Sequence, residues 1–557
     1  MMISMVVNSY EVAIVGGGPV GVALAVELGQ RGISCVLVER HQTPQPIPKG
    51  QNLTNRTLEH FYFWHCVDEL RAARIMPPGY PIGGVTTYGN LMSPYYHASG
   101  GWAGRGSGVQ DYYFQRNERL PQYCTEAVLR ERLKQLPSVT TMFGWTAVRV
   151  EQDDAGASVT ILPSNEGAFY SWSADTEQQT NQDVSGRAGR QVLRADYVVG
   201  CDGGKSLVRE TMGIDRGGRD FDQRMMLAVL RSKELHEFLN RFPPATTYRV
   251  MKPELKGYWQ FFGRIDVGEG FFFHAPLPND ATPDNFDFLG LLHQAAGFEF
   301  EAEFDHIGFW DLRIMVASRY SQRRVFIAGD ACHQHPPYGG FGLNTGLEDA
   351  ANLGWKLAAT LQGWGGQTLL ESYHAERRPI FQETGEAMIA GGIERDRAWL
   401  ERYSPEKDRA EFEQAWAEYG ATWGMRPQAY EPHYEGSAVV MGPDGGVSSI
   451  HGRMSFKAEA GHHLAPKDLS SGRNVFEELS DGFTLLALDA EEQSVRALED
   501  AAVRCKVPLK VIRDSCTGGR EQYESRLVLV RPDQYVVWAA DAAPTDARGL
   551  ITRVAGQ

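Results

Sequence analysis

The sequence predicts an α/β protein with one dinucleotide-binding sheet, an antiparallel sheet in mid-chain and a small α/β unit at the C-terminal end. Three observations carry this. Residues 11–15, EVAIV, run into GGGPVG and then VALAVELGQRG, which reads as strand, tight turn and a helix ending at Gly32. From about Asp215 to Arg319 the chain breaks into short aromatic or β-branched runs separated by turn residues. Beyond about Gly461, four strand-like runs surround one helical stretch. At about 100–200 residues per domain, 557 residues suggest three units or so.

The first of these elements carries chemistry. Gly16 allows the tight turn, Gly18 lets backbone approach a pyrophosphate, and Gly21 lets the helix pack close to the strand. Backbone N–H groups and the positive dipole end of the helix hold the anion without a lysine. SCVLVER is the second strand and ends on Glu39, 18 residues beyond Gly21, where a carboxylate can accept both hydrogen bonds of an adenosine ribose diol. Arg40 beside it is a further candidate contact. The glycine fingerprint alone fits FAD and NAD equally.

Next come the strand-like runs VTIL and YVVGCD, interrupted by a polar stretch from Ser164 to Gly189 that reads as a surface loop. RMMLAVL, TTYRVM, GYWQFFGRI and GFFFHAPL are the strands of the middle sheet. From Leu347 to Trp364 apolar residues recur at helical spacing, and a second helical region runs from about Leu369 to Trp416 with a break near Pro405. FTLLAL, LKVIRD, RLVLVRP and YVVWAA, with the helical SVRALEDAAVRC, form the last unit. The expected division is 1–80, 105–214 and 320–400 for the nucleotide domain, 81–104 and 215–319 for the sheet domain, 401–460 for a helical linker, and 461–557 for the C-terminal unit.

Composition narrows the function classes. A net charge of −15 without a basic patch disfavours nucleic acid and anionic membrane partners. The seven cysteines are scattered and contain no CxxC, so neither a disulfide framework nor a zinc site is indicated, and a cytoplasmic location is expected. No apolar run reaches the length of about 18 residues that a membrane helix needs.

Two longer motifs are more specific: YVVGCDGGKSLVRETMGI and RRVFIAGDACHQHPPYGGFGLNTGLEDAANLGWKLA. On these the chain resembles the single-component FAD-dependent aromatic hydroxylases, particularly the branch of phenol 2-monooxygenase and chlorophenol hydroxylases, over almost its whole length. The resemblance implies a Rossmann-type, para-hydroxybenzoate hydroxylase-like FAD domain. Asp202, Gly203, Ser206 and Arg209 match its Asp-Gly motif, on the flavin side and at the nicotinamide docking place. Asp330 ends a buried strand where it can accept from a ribityl hydroxyl, and N–H groups around Gly342, Leu343 and Asn344 face the pyrimidine edge of the flavin. Gln122 opens the Gln-x-x-x-Glu segment that touches flavin, and Lys49-Gly50 and Arg56 lie in the loop and helix that approach it. His333 and His335 are read as loop residues orienting the Pro336-Pro337 pair, and no metal is expected.

The implied reaction is hydride transfer from a visiting NAD(P)H to FAD, dioxygen capture as a flavin 4a-hydroperoxide, and hydroxylation of a small phenolic or related aromatic substrate. Where the phenol-hydroxylase branch carries an Asp that deprotonates substrate, this chain has Gln51, which cannot act as a base. His274 is the alternative acid/base candidate, because imidazole titrates near neutrality. It stands among Tyr258, Trp259, Phe261, Phe271 and Phe273, the candidate pocket wall. The C-terminal unit resembles the thioredoxin-like domain of phenol-hydroxylase relatives, with a homodimer expected and redox activity not, since CxxC is lacking. The other readings are a halogenase or epoxidase, whose Trp-x-Trp-x-Ile-Pro segment or membrane anchor is missing, and a non-catalytic binder of the same glycine fold.

Overall fold

Strands buried on both faces read as continuous apolar runs, and the first sheet is made of them. The computed structural model describes residues 8–99, 109–164, 189–423 and 430–557; most of the polar stretch from Ser164 to Gly189 lies outside them. Asn8–Val15 is central, paired in parallel with Cys35–Glu39 on one side and Gln191–Gly200 on the other. Val139–Phe143 and Val325–Ile327 extend the sheet in parallel at its two sides. Trp145–Gln152 and Ala157–Pro163 form a hairpin hung antiparallel on Gln191–Gly200. Helices Pro19–Gln30, Gln122–Leu133 and Phe341–Leu361 cover this sheet, whose core residues Val12, Ala13, Ile14, Val36 and Leu37 have no exposed surface.

The second sheet has eight strands in the order His333–Gln334, Glu303–Ala317, Arg216–Arg231, Gly270–Leu277, Gln260–Arg264, Thr247–Met251, Gly84–Tyr88 and Tyr96–Ser99. Its four aromatic runs stand as read from the sequence, but the pairing is not wholly antiparallel. Thr247–Met251 runs parallel to Gly84–Tyr88. These two segments come from distant stretches of chain, and only a long connection lets neighbouring strands run the same way. Alternation then sorts the side chains. Leu227, His274 and Phe261 are cross-strand partners and share one face, where Phe272 and Leu227 pack with Ile47 of the first domain. Phe271 and Phe273 point to the other face, into a core with Leu235, Leu239 and Leu292 of the covering helices. They are core residues, and the expectation that they line a pocket is corrected.

The helical region continues from Gln367–Glu383 through a π turn at Thr384–Ala390 into Gly391–Arg402, breaks across Pro405, and resumes as Arg409–Trp423. The C-terminal sheet has the order Leu509–Asp514, Phe483–Leu488, Leu527–Val530, Val536–Ala540, parallel in its first pair and antiparallel in the rest. Helices Glu492–Cys505 and Ala547–Val554 cover it. It docks on the first domain through the Arg531–Gln534 turn. There Arg531 pairs with Glu376 at 2.8 Å, and Arg56 reaches Gln534 Oε1 at 2.8 Å and the Asp533 carbonyl at 2.7 Å. Arg56 is thus buried in a seam, with Glu348 and Glu59 as its carboxylate partners. No helix among the described residues is long and apolar enough to cross a membrane.

Candidate active site

The start of the Pro19–Gln30 helix is shaped by three glycines with different jobs. Gly16 has φ +101°, and a Cβ there would lie 2.4 Å from the Cys201 carbonyl oxygen. A Cβ on Gly21 would lie 1.9 Å from the Gly16 carbonyl oxygen. At Gly18 a Cβ would meet nothing within 4 Å. The first two therefore serve the chain's own packing, while Gly18 opens space in front of first-turn amides that have no intrahelical acceptor. Glu39 stands beside this opening, its Oε2 accepting from Gly17 N–H at 2.7 Å and its Oε1 from His41 N–H at 2.8 Å. Each oxygen keeps a second lone pair for a diol. Arg40 is exposed next to it. Below lies Glu126, paired with Arg130 at 2.7 Å; burial pushes its carboxyl up to about 7 against the pull of Arg130.

The two Asp-bearing motifs meet at the ends of neighbouring strands. Asp202 Oδ2 caps the short helix Leu207–Thr211 by accepting from Val208 N–H at 3.1 Å, while Oδ1 is buried with no hydrogen-bond partner. Burial raises this carboxyl above its usual range. Arg209 turns inward and donates to the carbonyls of Gly204 at 3.2 Å and Ala331 at 3.0 Å. It thus ties the two motifs together, and its guanidinium is engaged with backbone. Asp330 is solvent-reachable, yet it stands deep between protein walls that push its carboxyl up against the pull of His333, Lys49 and Arg216.

A second helix start faces the same cleft. Phe341–Leu361 begins after Gly340, in the left-handed region at φ +72°, so the amides of Gly342, Leu343 and Asn344 occupy a first turn. The Asn344 side chain holds this turn in place. Its Oδ1 accepts from Thr54 N–H at 2.9 Å and Thr57 Oγ1 at 2.6 Å, and its Nδ2 donates to the Asn52 and Gly340 carbonyls. A Cβ on Gly50 would lie 3.2 Å from Leu343 Cδ2 and 3.6 Å from Gln122 Oε1. Gly50, Gln122 and Leu343, far apart in sequence, thus converge. Beneath them, Asp349 anchors the loop by accepting from Gly329 N–H at 3.1 Å, His333 Nε2 at 2.6 Å and Arg377 Nε at 2.8 Å. His335 bonds the Pro336 carbonyl through Nδ1 at 3.0 Å and stacks on Phe381.

The face of the second sheet that carries Leu227, Phe261, Phe272 and His274 packs on Ile47, in the loop that leads to Gly50. His274 stacks on Phe261 at 5.1 Å and meets the edge of Trp310 at 5.9 Å; its Nδ1 and Trp310 Nε1 are both buried without a partner. Tyr338, from the loop before the second helix, stacks on Trp259 at 4.6 Å, and its hydroxyl accepts from Trp259 N–H at 2.9 Å. Gln51 is buried at the edge of the cleft, its Nε2 also unpartnered. Trp310 was missed in the sequence because its strand, Glu303–Ala317, mixes charged and apolar residues and lacks an aromatic run.

Burial among rings pushes His274 down to about 4, which corrects the expectation that it titrates near neutrality. His335 is lowered to the same value for the same reason. Both are neutral in the folded protein at pH 7, whereas an unfolded imidazole takes its proton near 6.5. Their contribution to stability is therefore complete above about 6.5 and is lost as pH falls toward 4. Chemical denaturation at pH 7 and pH 5 is expected to show the loss, with a flatter pH dependence in His274→Leu; an unchanged slope would contradict the assignment.

The cleft fits an elongated dinucleotide. It offers an open helix start at Gly18, a second one at Gly342–Asn344, and two raised carboxyls at the ends of paired strands. Residues 9–387 match the family model described as FAD binding domain, and residues 457–557 match that of the aromatic-ring hydroxylase C-terminal domain. Rifampicin monooxygenase of Streptomyces venezuelae is 28% identical over 98% of both chains. 4-Methyl-5-nitrocatechol 5-monooxygenase of a Burkholderia species is 26% identical over 97% of this chain and 96% of that one. The rebeccamycin biosynthetic enzyme RebC with reduced flavin superposes with a TM-score of 0.79 at 26% identity, covering 99% of each chain. Such relatives reach well beyond a phenol-hydroxylase branch. What the cleft and the match over residues 9–387 together identify is a member of the FAD binding domain family, an FAD-dependent aromatic monooxygenase that takes its electrons from NAD(P)H.

Proposed function

We propose that the protein hydroxylates a phenolic ring. The observation that carries this reading is the pair of unpartnered ring nitrogens, His274 Nδ1 and Trp310 Nε1, in an otherwise aromatic wall facing the Ile47–Gln51 loop. A buried polar atom without a partner costs about 1–3 kcal/mol, and a ring bearing an oxygen would satisfy both nitrogens while its faces lie against Phe261 and Phe272. Arg119, buried near Phe272, donates to Asn52 Oδ1 and the Arg264 carbonyl, each at 2.9 Å, and keeps a buried Nε without a partner among the described residues. A neutral His274 orients the oxygen as a hydrogen-bonding group. Gln51 has an amide to add and no base.

In this reading the bound FAD supplies the activation of dioxygen, and the chain supplies orientation and exclusion of water. Gly18 and its helix start hold the pyrophosphate, with Gly16 and Gly21 shaping the turn; Glu39 and Arg40 hold the adenosine. Asp202 and Asp330 take the ribityl hydroxyls, Gln122 and the amides of Gly342, Leu343 and Asn344 take the ring, and Arg209 positions both Asp motifs. We also read the C-terminal unit as thioredoxin-like, since its β-α-β-β-β-α order and single parallel pair fit that topology.

The likeness to the nitrocatechol enzyme supports a single-ring phenol, and the likeness to rifampicin monooxygenase a larger, polycyclic one. Product analysis with NAD(P)H oxidation over phenols, nitrophenols and polycyclic phenols separates the two. The expected result is a hydroxylated product in step with NAD(P)H consumed. Stimulated oxidation that yields only hydrogen peroxide with every phenol would overturn the proposal.

A further inference from the structure

A second cluster of ligating side chains lies away from the cleft, where the linker meets the C-terminal unit. His433 and Tyr434 pair with Ser449 and Ser448 respectively, and Gly461 bonds back to Tyr434, so His433, Glu435 and His462 are drawn together. One ligating atom from each lies within 4.8 Å of the others. His462 Nε2 is 2.9 Å from Glu435 Oε1, and its Nδ1 is 3.0 Å from Glu431 Oε1. His433 stacks parallel on His462, with centroids 4.7 Å apart and planes 5° apart, and is 6% exposed. Its Nδ1 is buried without any partner.

We propose that His433, Glu435 and His462 bind a divalent cation of the zinc class, with Glu431 fixing the His462 ring from behind. Two imidazoles and a carboxylate are a donor set suited to such an ion. Bonds of about 2.1 Å in tetrahedral geometry bring ligand atoms to about 3.4 Å of one another, a rotamer-scale contraction here. In the Glu431–His462 contact a carboxylate takes the remote ring N–H and so orients the liganding nitrogen. Glu435, partly exposed, leaves a fourth position open toward solvent.

The Cys332, His333 and Asp349 group also lies close together, but all three are fully buried and Asp349 is already shared by His333, Arg377 and Gly329 N–H.

The test is a Zn²⁺ titration of the full-length flavoprotein against a chromophoric chelator, with Co²⁺ as a spectroscopic probe. One equivalent per chain is expected, with loss of stoichiometric binding in His462→Ala and Glu435→Gln. Glu431→Gln should weaken it by about 10–100-fold, with flavin content unchanged throughout. Because Glu435 is partly exposed, Glu435→Gln decides the matter should His462→Ala fail to fold. Binding no tighter in the parent than in Glu435→Gln, or no stoichiometric binding at all, overturns the proposal and leaves an ion-paired structural cluster.

Discussion

Gly21→Ala is expected to yield no soluble folded protein, whereas Gly18→Ala is expected to fold and to purify with little flavin. The difference follows from what each methyl would meet. At Gly21 the new atom lands 1.9 Å from a backbone oxygen of Gly16, between a helix and a strand whose core residues are wholly buried. Neither partner is a flexible side chain, so the cost exceeds the roughly 1–3 kcal/mol of ordinary overpacking. At Gly18 the backbone sits at φ −69°, which alanine adopts freely, and the methyl has 4 Å of clear space. The apoprotein loses only about 1 kcal/mol of N-cap preference, but the methyl takes the place of a pyrophosphate against the helix start. Asp330→Ala belongs with Gly18→Ala: a charged hydrogen bond worth about 1.5–3 kcal/mol corresponds to roughly 10–150-fold in FAD affinity. Circular dichroism melts read the fold and flavin absorbance per chain reads the loading. A fully yellow Gly18→Ala would remove the pyrophosphate from that helix.

Much of this was legible because local pattern and tertiary role coincide. The run from Glu11 to Glu39 became strand, helix and strand, and RMMLAVL, TTYRVM, GYWQFFGRI and GFFFHAPL each became a strand, because aromatic and β-branched runs between turn residues have few other uses. What local pattern does not hold is pairing. The parallel contact between Thr247–Met251 and Gly84–Tyr88 joins segments about 160 residues apart. Likewise nothing in the run GFFFHAPL says which of Phe271, Phe272 and Phe273 faces the cleft until its register with Leu227 is known.

Residue roles divide in the same way. Gly16, Gly18 and Gly21 act through their own backbone, so spacing revealed them. The motifs place Arg56 in the helix that approaches the flavin and Arg209 at the nicotinamide docking place, yet one guanidinium holds a seam of carboxylates and the other two carbonyls, because each follows partners that only folding brings near. His433, Glu435 and His462 have a weaker signal still. His-x-Glu and one histidine 27 positions later form no regular ligand spacing, and it takes a two-strand pairing and a backbone bond between Tyr434 and Gly461 to bring them together.

The largest stability effect outside the cleft is expected from Glu376→Ala. This carboxylate has no exposed surface. Its Oε1 accepts from Arg531 at 2.8 Å and Ser437 Oγ at 2.6 Å, and its Oε2 from Lys356 at 2.7 Å, Asn352 at 2.8 Å and Arg531 at 2.9 Å. Asp533 holds the far side of Arg531 at 2.6 Å, so two cations and two anions balance inside the seam between the first domain and the C-terminal unit. Removing one partner of such a group leaves an uncompensated buried charge and costs about 3–5 kcal/mol. Replacing Glu376 and Lys356 together by Leu and Met restores neutrality and is expected to cost less than Glu376→Ala alone, a sign that pairwise additivity would not give. Despite burial, Arg531 and Lys356 hold the Glu376 carboxyl well below its ordinary value of 4.5. Its contribution is thus complete above that pH and is lost as pH falls through the lowered value. The parent should therefore lose stability on acidification below about pH 4.5, and Glu376→Gln should have lost that part already at neutrality. Denaturant unfolding of the parent, both single variants and the double variant at pH 7 and pH 4 measures all of this. A Glu376→Ala protein within about 1 kcal/mol of the parent would mean that water, and not Glu376, solvates Arg531 in the seam.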